Sequence, residues 1–139
     1  MTGADVDRIE SELGMKLPPH YREFVITYPQ SLREAKFEYK QEPASASFLF
    51  DDPQQVIDYN RAMREPGLLV TNGETAPWPD EYFIVGKDVG GNYWCVDLTG
   101  RNKAVWFFDH EEGMFQRQSK SLADHEQYAL KFLEKFNRT

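Results

Sequence analysis

The sequence predicts an α+β fold, with a mostly antiparallel sheet that has a central three-strand meander and is packed by N-terminal helices and a C-terminal helix. Three short runs rich in aromatic and β-branched residues carry this prediction: 82–86 (YFIVG), 92–98 (NYWCVDL) and 104–108 (AVWFF). Such residues suit a pleated, half-buried surface, and runs this short favour strands over helices. The two linkers are far shorter than the dozen or so residues that a parallel crossover needs, so the strands are expected to pair consecutively and antiparallel.

The alternation of side chains in the middle strand predicts that both faces of the sheet are at least partly covered. Trp94 and Val96 point to one face of the strand. Tyr93 and Cys95 point to the other, so apolar bulk lies on both. A sheet open to water on one side would alternate apolar and polar residues more cleanly. We therefore expect Trp94 and Trp106 to be largely buried.

Two helices are predicted before residue 30. The first follows Thr2 and Asp5, which have the spacing of a capping box, and it stops at Gly14. The second begins at Pro19, a position where proline is tolerated, and ends at Pro29. Its apolar stripe, expected to pack on the sheet, consists of Tyr21, Phe24, Val25 and Tyr28.

Two further helices are predicted later in the chain. One has Asp52 as its cap and Pro53 at its first position, and it stops near Glu65. The last opens at Ser121 and Asp124. Its expected buried stripe consists of Ala129, Phe132, Leu133 and Phe136.

The segment between the second and third helices is the least decisive. Phe37 and Tyr39 alternate with charged residues and are compatible with an edge strand, whereas 42–47 is typical of a loop. Short strands are also predicted at 48–50 and 68–70. A polar loop at 71–80 holds Trp78 between two prolines, so that this indole either folds over the core as a lid or is exposed as an anchor for a partner.

Composition and charge favour a protein partner over nucleic acid. The chain has 139 residues, expected to form a single domain over 1–139, with a net charge of -7 and a pI near 5.0. Phosphate contacts need Lys and Arg, so direct binding of nucleic acid is not expected. The acidic charge is compatible with a basic protein partner, although it is also common among soluble proteins.

Several features predict a cytoplasmic protein that does not enter membranes. The lone cysteine, Cys95, cannot form an internal disulfide, and its place within a predicted strand favours an inert core thiol over a nucleophile. No apolar run approaches the roughly 18 residues of a membrane span. The first residues lack the pattern of a signal peptide.

The sequence predicts no catalytic residues, no metal site and no cofactor. The histidines His20, His110 and His125 lie in different predicted elements and lack metal-binding spacing. The acidic turn at 109–112 concentrates groups that can bind metals, but adjacent side chains of an extended segment point to opposite sides and would not converge on one ion. The glycine-rich segment 86–91 is followed by a strand rather than a helix, so it does not qualify as a phosphate-binding loop.

Three segments together resemble the SUKH superfamily, that is, the Smi-Knr cell-wall-regulator family of fungi and its bacterial relatives. Segment 9–24 is similar to the opening of the family, with an acidic amphipathic helix and then an aromatic one. Segment 83–98 is similar to its central signature, and 105–111 to its following strand and acidic exit. One departure lies at 29–32, where family members often carry an Asn-Gly-Gly turn and this chain reads PQSL.

The resemblance implies a non-enzymatic, protein-binding domain, and specifically a bacterial immunity protein that neutralises a cognate toxin of a polymorphic toxin system. If the toxin is a basic nuclease, the acidic chain would be steered to it rapidly. The alternative is a regulatory or scaffold module that binds a cellular protein, and an enzyme that acts on a small molecule ranks third. The sequence does not set the oligomeric state.

Exposed acids and one aromatic anchor are the expected partner-binding residues, since binding by occlusion requires no buried catalytic set. They are Asp51, Asp52, Trp78, Asp88, Asp109, Glu111 and Glu112. Structural alternatives accompany them, because Asp52 is suited to a helix cap, Asp88 to a turn, and the other acids to a solvated rim.

Overall fold

The computed structural model describes residues 1–38, 49–65, 69–71, 74–88 and 90–137, with backbone alone for 35–38, 69–71, 74–76 and 133–137. The described helices are α1 (Gly3–Leu13), α2 (Pro19–Ile26), α3 (Gln30–Glu38), α4 (Pro53–Met63) and α5 (Leu122–Asn137). The strands are β1 (Leu69–Thr71), β2 (Glu74–Ala76), β3 (Tyr82–Lys87), β4 (Tyr93–Asp97), β5 (Val105–Asp109) and β6 (Met114–Ser119). None of these helices is both long enough and apolar enough to cross a membrane.

Strands β3 to β6 form an antiparallel sheet in sequence order, and β1 and β2 form a separate hairpin. The predicted α+β fold is confirmed, because all three strands of the meander are present and pair consecutively. Strand β6 was not predicted, since its exposed residues show no apolar alternation. The loop predicted at 71–80 was wrong in part, because β2 lies within it and pairs with β1.

Helix α3 replaces the edge strand that the sequence suggested around Phe37 and Tyr39. Phe37 lies in this helix, whereas Tyr39 and the loop predicted at 42–47 lie outside the described residues. The helix has a physical basis, because Gln30–Glu38 contains strong helix formers and lacks glycine and proline. The predicted strand at 48–50 is also absent from its described part, Leu49 and Phe50.

The predicted helix starts are confirmed by their caps. Thr2 Oγ1 accepts a hydrogen bond from the Asp5 N–H at 3.1 Å, and the Asp5 carboxylate accepts one from the Thr2 N–H at 2.9 Å. Asp52 caps α4 by accepting from the Gln54 N–H at 2.9 Å. Helix α2 begins at Pro19 as predicted but ends at Ile26, before Pro29.

Strands β3 and β4 are buried on both faces, as the alternation in β4 predicted, whereas β6 is mostly exposed. On one face, Tyr21 of α2 packs against Phe83, with ring centroids 5.8 Å apart. Trp94 packs on the same side against α5 and is 2% exposed. Trp106 is less buried than predicted, because its side chain remains partly accessible beside the core.

The β3 edge of the sheet is closed by side-chain and loop contacts. Asn60 of α4, fully buried, donates from Nδ2 to the Ile84 carbonyl and accepts from the Ile84 N–H, both at 2.8 Å. The Phe50 N–H donates to the Val85 carbonyl at 2.9 Å. These bonds satisfy backbone groups that an edge strand would otherwise leave unpaired.

Candidate functional site

The β3–β4 turn and the β5–β6 turn meet at one end of the sheet, because β3 and β5 both run towards it. Asn92 joins the two turns, since its Oδ1 accepts from the His110 N–H at 3.0 Å and lies 2.6 Å from His110 Nδ1. Gly91 adopts a φ of 87°, and a Cβ there would approach the His110 ring at 3.6 Å. We call the predicted site residues on these two turns the acidic end: Asp88, Asp109, Glu111 and Glu112.

Asp88 shapes the first of these turns. Its Oδ1 accepts hydrogen bonds from the N–H groups of Gly90 and Asn92, both at 2.9 Å. Its Oδ2 accepts from Asn92 Nδ2 at 2.9 Å. Both carboxylate oxygens are therefore engaged in holding the turn, and beyond the turn this half-buried side chain can act mainly through its charge.

Asp109 shapes the second turn and leaves two glutamates exposed beyond it. Its Oδ1 accepts from the N–H groups of Glu111 at 2.9 Å and Glu112 at 3.4 Å, and its carbonyl accepts from the Gly113 N–H at 2.7 Å. Within the described part of the chain, neither glutamate carboxylate forms an ion pair. Glu111 and Glu112 are therefore the carboxylates of the acidic end most available to a partner.

The other two predicted acids lie at the start of α4. Asp52 is its cap and is exposed. Asp51 Oδ2 lies 3.3 Å from Arg33 Nε of α3, and this ion pair partly neutralises the charge. These two acids follow Phe50, whose N–H donates to the Val85 carbonyl of β3 at 2.9 Å, so they belong to the start of α4, whereas the acidic end is formed by the two turns.

Trp78 lies in the core rather than on the surface. It is 5% exposed, and its ring centroid lies 5.0 Å from that of Phe108 and 5.3 Å from that of Phe115. Its Nε1 donates to the Tyr82 carbonyl at 2.7 Å. This placement matches the interpretation of Trp78 as a lid, and a buried indole is not available as an anchor for a partner.

A family model for the SMI1 / KNR4 family (SUKH-1) matches residues 1–125 of the chain. The chain belongs to this family. The match extends from α1 through β6 into α5, and it confirms the resemblance that the three sequence segments indicated. Comparison with curated proteins and with solved structures gave no match.

The SUKH-1 chain does present an exposed apolar side chain beside the acidic end, at a position that the sequence analysis missed. Met114 opens β6 and is 52% exposed. The available signal was its position two residues after Glu112, with Phe115 and then the polar residues 116–118 following it. An apolar group rimmed by charge is typical of a protein-binding surface.

The buried Cys95 and His125 have protonation states that suit a structural role in the core. Burial raises the pKa of the Cys95 thiol, so it remains protonated at neutral pH and is not an activated nucleophile. His125 is fully buried, and burial lowers its pKa to about 3, so the imidazole is neutral. Within the residues described for this SUKH-1 chain, no group of three or more His, Cys, Asp or Glu side chains is arranged to hold a metal ion.

Proposed function

We propose that this SUKH-1 chain is a bacterial immunity protein, a single non-enzymatic domain of the cytoplasm that binds a cognate toxin and blocks it by occlusion. The observation that carries the proposal is the acidic end, where two turns place four carboxylates together on a chain of net charge -7. Membership of the SUKH-1 family supports a protein partner.

Charge supports a basic partner, such as a nuclease whose phosphate-binding surface is rich in Lys and Arg. Glu111 and Glu112 are exposed and form no ion pair among the described residues, so they are available to cations of the toxin. The charges of Asp88 and Asp109 add to the local field. A surface of this kind accelerates encounter with an opposite charge, and occlusion then needs contact but no reaction.

A regulatory or scaffold module that binds a cellular protein is the second candidate. Membership of the SMI1 / KNR4 family (SUKH-1) also supports this candidate, because the sequence resemblance described above is to a family of fungal cell-wall regulators. The two candidates would use the same acidic surface and differ in the partner. Identification of the partner therefore separates them.

The test is co-expression of the chain with the toxin candidate encoded beside its gene, followed by purification of both proteins. Immunity predicts that the chain restores growth of cells that make the toxin and that the purified pair forms a complex. Absence of both effects would reject immunity. A stable complex with a housekeeping protein instead would favour the regulatory module.

The acidic end is tested by the Glu111→Gln/Glu112→Gln variant. We expect its association rate with the toxin to fall several-fold at low salt, because steering depends on these charges, while its dissociation rate changes less. The matched control is Asp80→Asn/Glu81→Gln, which removes the same charge from exposed positions at the other end of β3. An equal loss of association rate in both variants would show that net charge matters and that the acidic end is not the contact.

A further inference from the structure

Strand β6 forms an open edge of the four-stranded sheet. It is the last strand in the order β3-β4-β5-β6, and within the described residues no backbone segment pairs with its outer side. Four of its residues are exposed: Met114, Gln116, Arg117 and Gln118. At the opposite edge, Asn60 bonds the outward N–H and carbonyl of Ile84, so the β3 edge is closed by a side chain whereas the β6 edge is not. An open edge is a template for pairing with another strand.

The bonds of Asn60 identify which backbone groups of β6 face outward. Ile84 uses both its N–H and its carbonyl on Asn60, so Ile84 and its neighbour Cys95 do not bond each other. In an antiparallel sheet, the N–H and carbonyl of one residue both face the same neighbouring strand. Cys95 therefore exchanges its main-chain hydrogen bonds with Trp106 of β5. Trp106 then has no main-chain groups left for Arg117, its opposite residue in β6. The N–H and carbonyl of Arg117 therefore face the open edge.

The regular part of this edge is short. Phe115 lies two residues before Arg117 on the same strand, so its N–H and carbonyl also face outward. The register then shifts, because Arg117 lies opposite Trp106 whereas Ser119 lies opposite Val105. The bulge leaves residues 114–117 as the stretch that can extend the sheet, with two residues that offer main-chain hydrogen bonds.

Charge changes sign along β6. Glu111 and Glu112 precede the strand, Arg117 lies within it, and Lys120 follows it. A second strand of the same sequence that runs antiparallel would bring its basic end to this acidic start. The edge is therefore complementary in charge to a copy of itself.

We propose that β6 pairs antiparallel with β6 of a second copy of this chain, about a two-fold axis at Gln116. In this register Phe115 of each copy exchanges main-chain hydrogen bonds with Arg117 of the other, and Lys120 approaches Glu112 of the other. A register centred on Arg117 would place two guanidinium groups opposite each other, which is destabilising. A register centred on Phe115 would pair fewer residues.

The geometry sets the strength of this dimer. The two bonded pairs supply about four main-chain hydrogen bonds, and the Arg117 guanidinium of each copy lies beside the Phe115 ring of the other. So short an interface belongs with those that bury less than about 1,200 Å² and are weak or transient. We therefore assign the dimer a Kd in the micromolar range. This proposal does not depend on the immunity function.

The first test is sedimentation of the full chain over a range of concentrations, with the variants Arg117→Pro and Arg117→Ala. Proline lacks the N–H, and at Arg117 that N–H is not used within the sheet, so the substitution removes a donor between copies only. Arg117→Pro should raise the Kd of the dimer at least tenfold. Arg117→Ala keeps the backbone donor and should raise it less.

The second test is a charge exchange that remains informative if Arg117→Pro fails to fold. Glu112→Lys and Lys120→Glu should each weaken the dimer several-fold, and the double variant should restore it. The two residues flank the six residues of β6, which separate them by about 20 Å within one copy, so rescue reports contact between copies. Glu81→Lys, the same charge change away from β6, should leave the Kd unchanged.

Two results would overturn the proposal. The first is that the wild-type chain sediments as a monomer at every concentration tested, up to about a hundred times the micromolar Kd proposed above for this weak interface. The other is a dimer that persists in folded Arg117→Pro protein and shows no rescue in the double charge variant, because that dimer would use another surface.

Discussion

Asn60 completes the hydrogen bonding of Ile84, accepting from its N–H and donating to its carbonyl, both at 2.8 Å. The same amide nitrogen also donates to the Val56 carbonyl at 2.9 Å within α4. One fully buried side chain thus links the helix to the edge of the sheet, and it forms the two hydrogen bonds with Ile84 that a neighbouring strand would otherwise form. Among the described residues, the outer edge of β3 is therefore closed, whereas no backbone segment pairs with the outer edge of β6.

Asn60→Ala should lower the free energy of unfolding by about 3 kcal/mol, because it leaves two buried backbone groups of Ile84 without partners. Urea denaturation measures this loss. Asp58→Ala, at an exposed position of the same helix, is the control and should change stability by less than about 0.5 kcal/mol. A loss below about 1 kcal/mol for Asn60→Ala would show that water or another group replaces the amide.

The two sheet tryptophans should differ in their contribution to stability. Trp94 is 2% exposed between β5 and α5, so Trp94→Ala should cost about 3–5 kcal/mol. Trp106 is partly accessible, and its Nε1 donates to Asn102 Oδ1 at 3.2 Å. Trp106→Ala should therefore cost less than Trp94→Ala in the same denaturation assay, and the reverse order would contradict the burial described above.

Zinc, manganese and magnesium ions should not raise the melting temperature of the chain. Asp109 is engaged by the backbone of its own turn, and His110 Nδ1 is directed to Asn92 Oδ1, so these neighbours do not converge on one ion. Thermal denaturation with and without each ion checks this. A rise of several degrees that disappears in Asp109→Asn or His110→Ala protein would reveal a metal site.

Strands β3 to β5 were predictable because their apolar composition and short linkers are local properties of the sequence. Strand β6 was not, because an exposed edge strand has no hydrophobic face and its sequence resembles that of a loop. The burial of Trp78 could not be decided either. The flanking prolines fix the local backbone, whereas the contacts with Phe108 and Phe115 depend on the rest of the fold.

For the candidate site, the sequence predicted the roles of single turn and cap residues but not which turns come together. Asp88 and Asp52 serve as the turn and cap residues that their sequence positions suggested. The meeting of the two acidic turns depends on a contact between Asn92 and His110, which are distant in sequence and carry no joint pattern. The ion pair of Asp51 with Arg33 of α3 is likewise a property of the tertiary structure.

Stability should fall on acidification because of His125. The ring is fully buried, lies 4.5 Å from the Trp94 ring, and has only the Ser119 hydroxyl, 3.1 Å from Nδ1, as a polar contact among the described residues. Burial lowers the pKa from 6.5 to about 3. Between these values the unfolded chain takes up a proton that the folded chain does not, so unfolding becomes more favourable as the pH falls.

The expected size of this effect is about 1.4 kcal/mol of stability lost per pH unit below about pH 6, with no contribution from His125 above about pH 7. The carboxylates and His20 also titrate, so the measurement is the difference between wild-type and His125→Leu protein in urea denaturation at several pH values. Leucine cannot take up a proton, and the variant should show a shallower loss of stability from pH 6.5 to 4.5. Gln127→Leu, at an exposed position of the same helix, is the control and should keep the wild-type slope because it removes no titratable group. Equal slopes in wild-type and His125→Leu protein would mean that the folded chain accommodates the charged imidazolium.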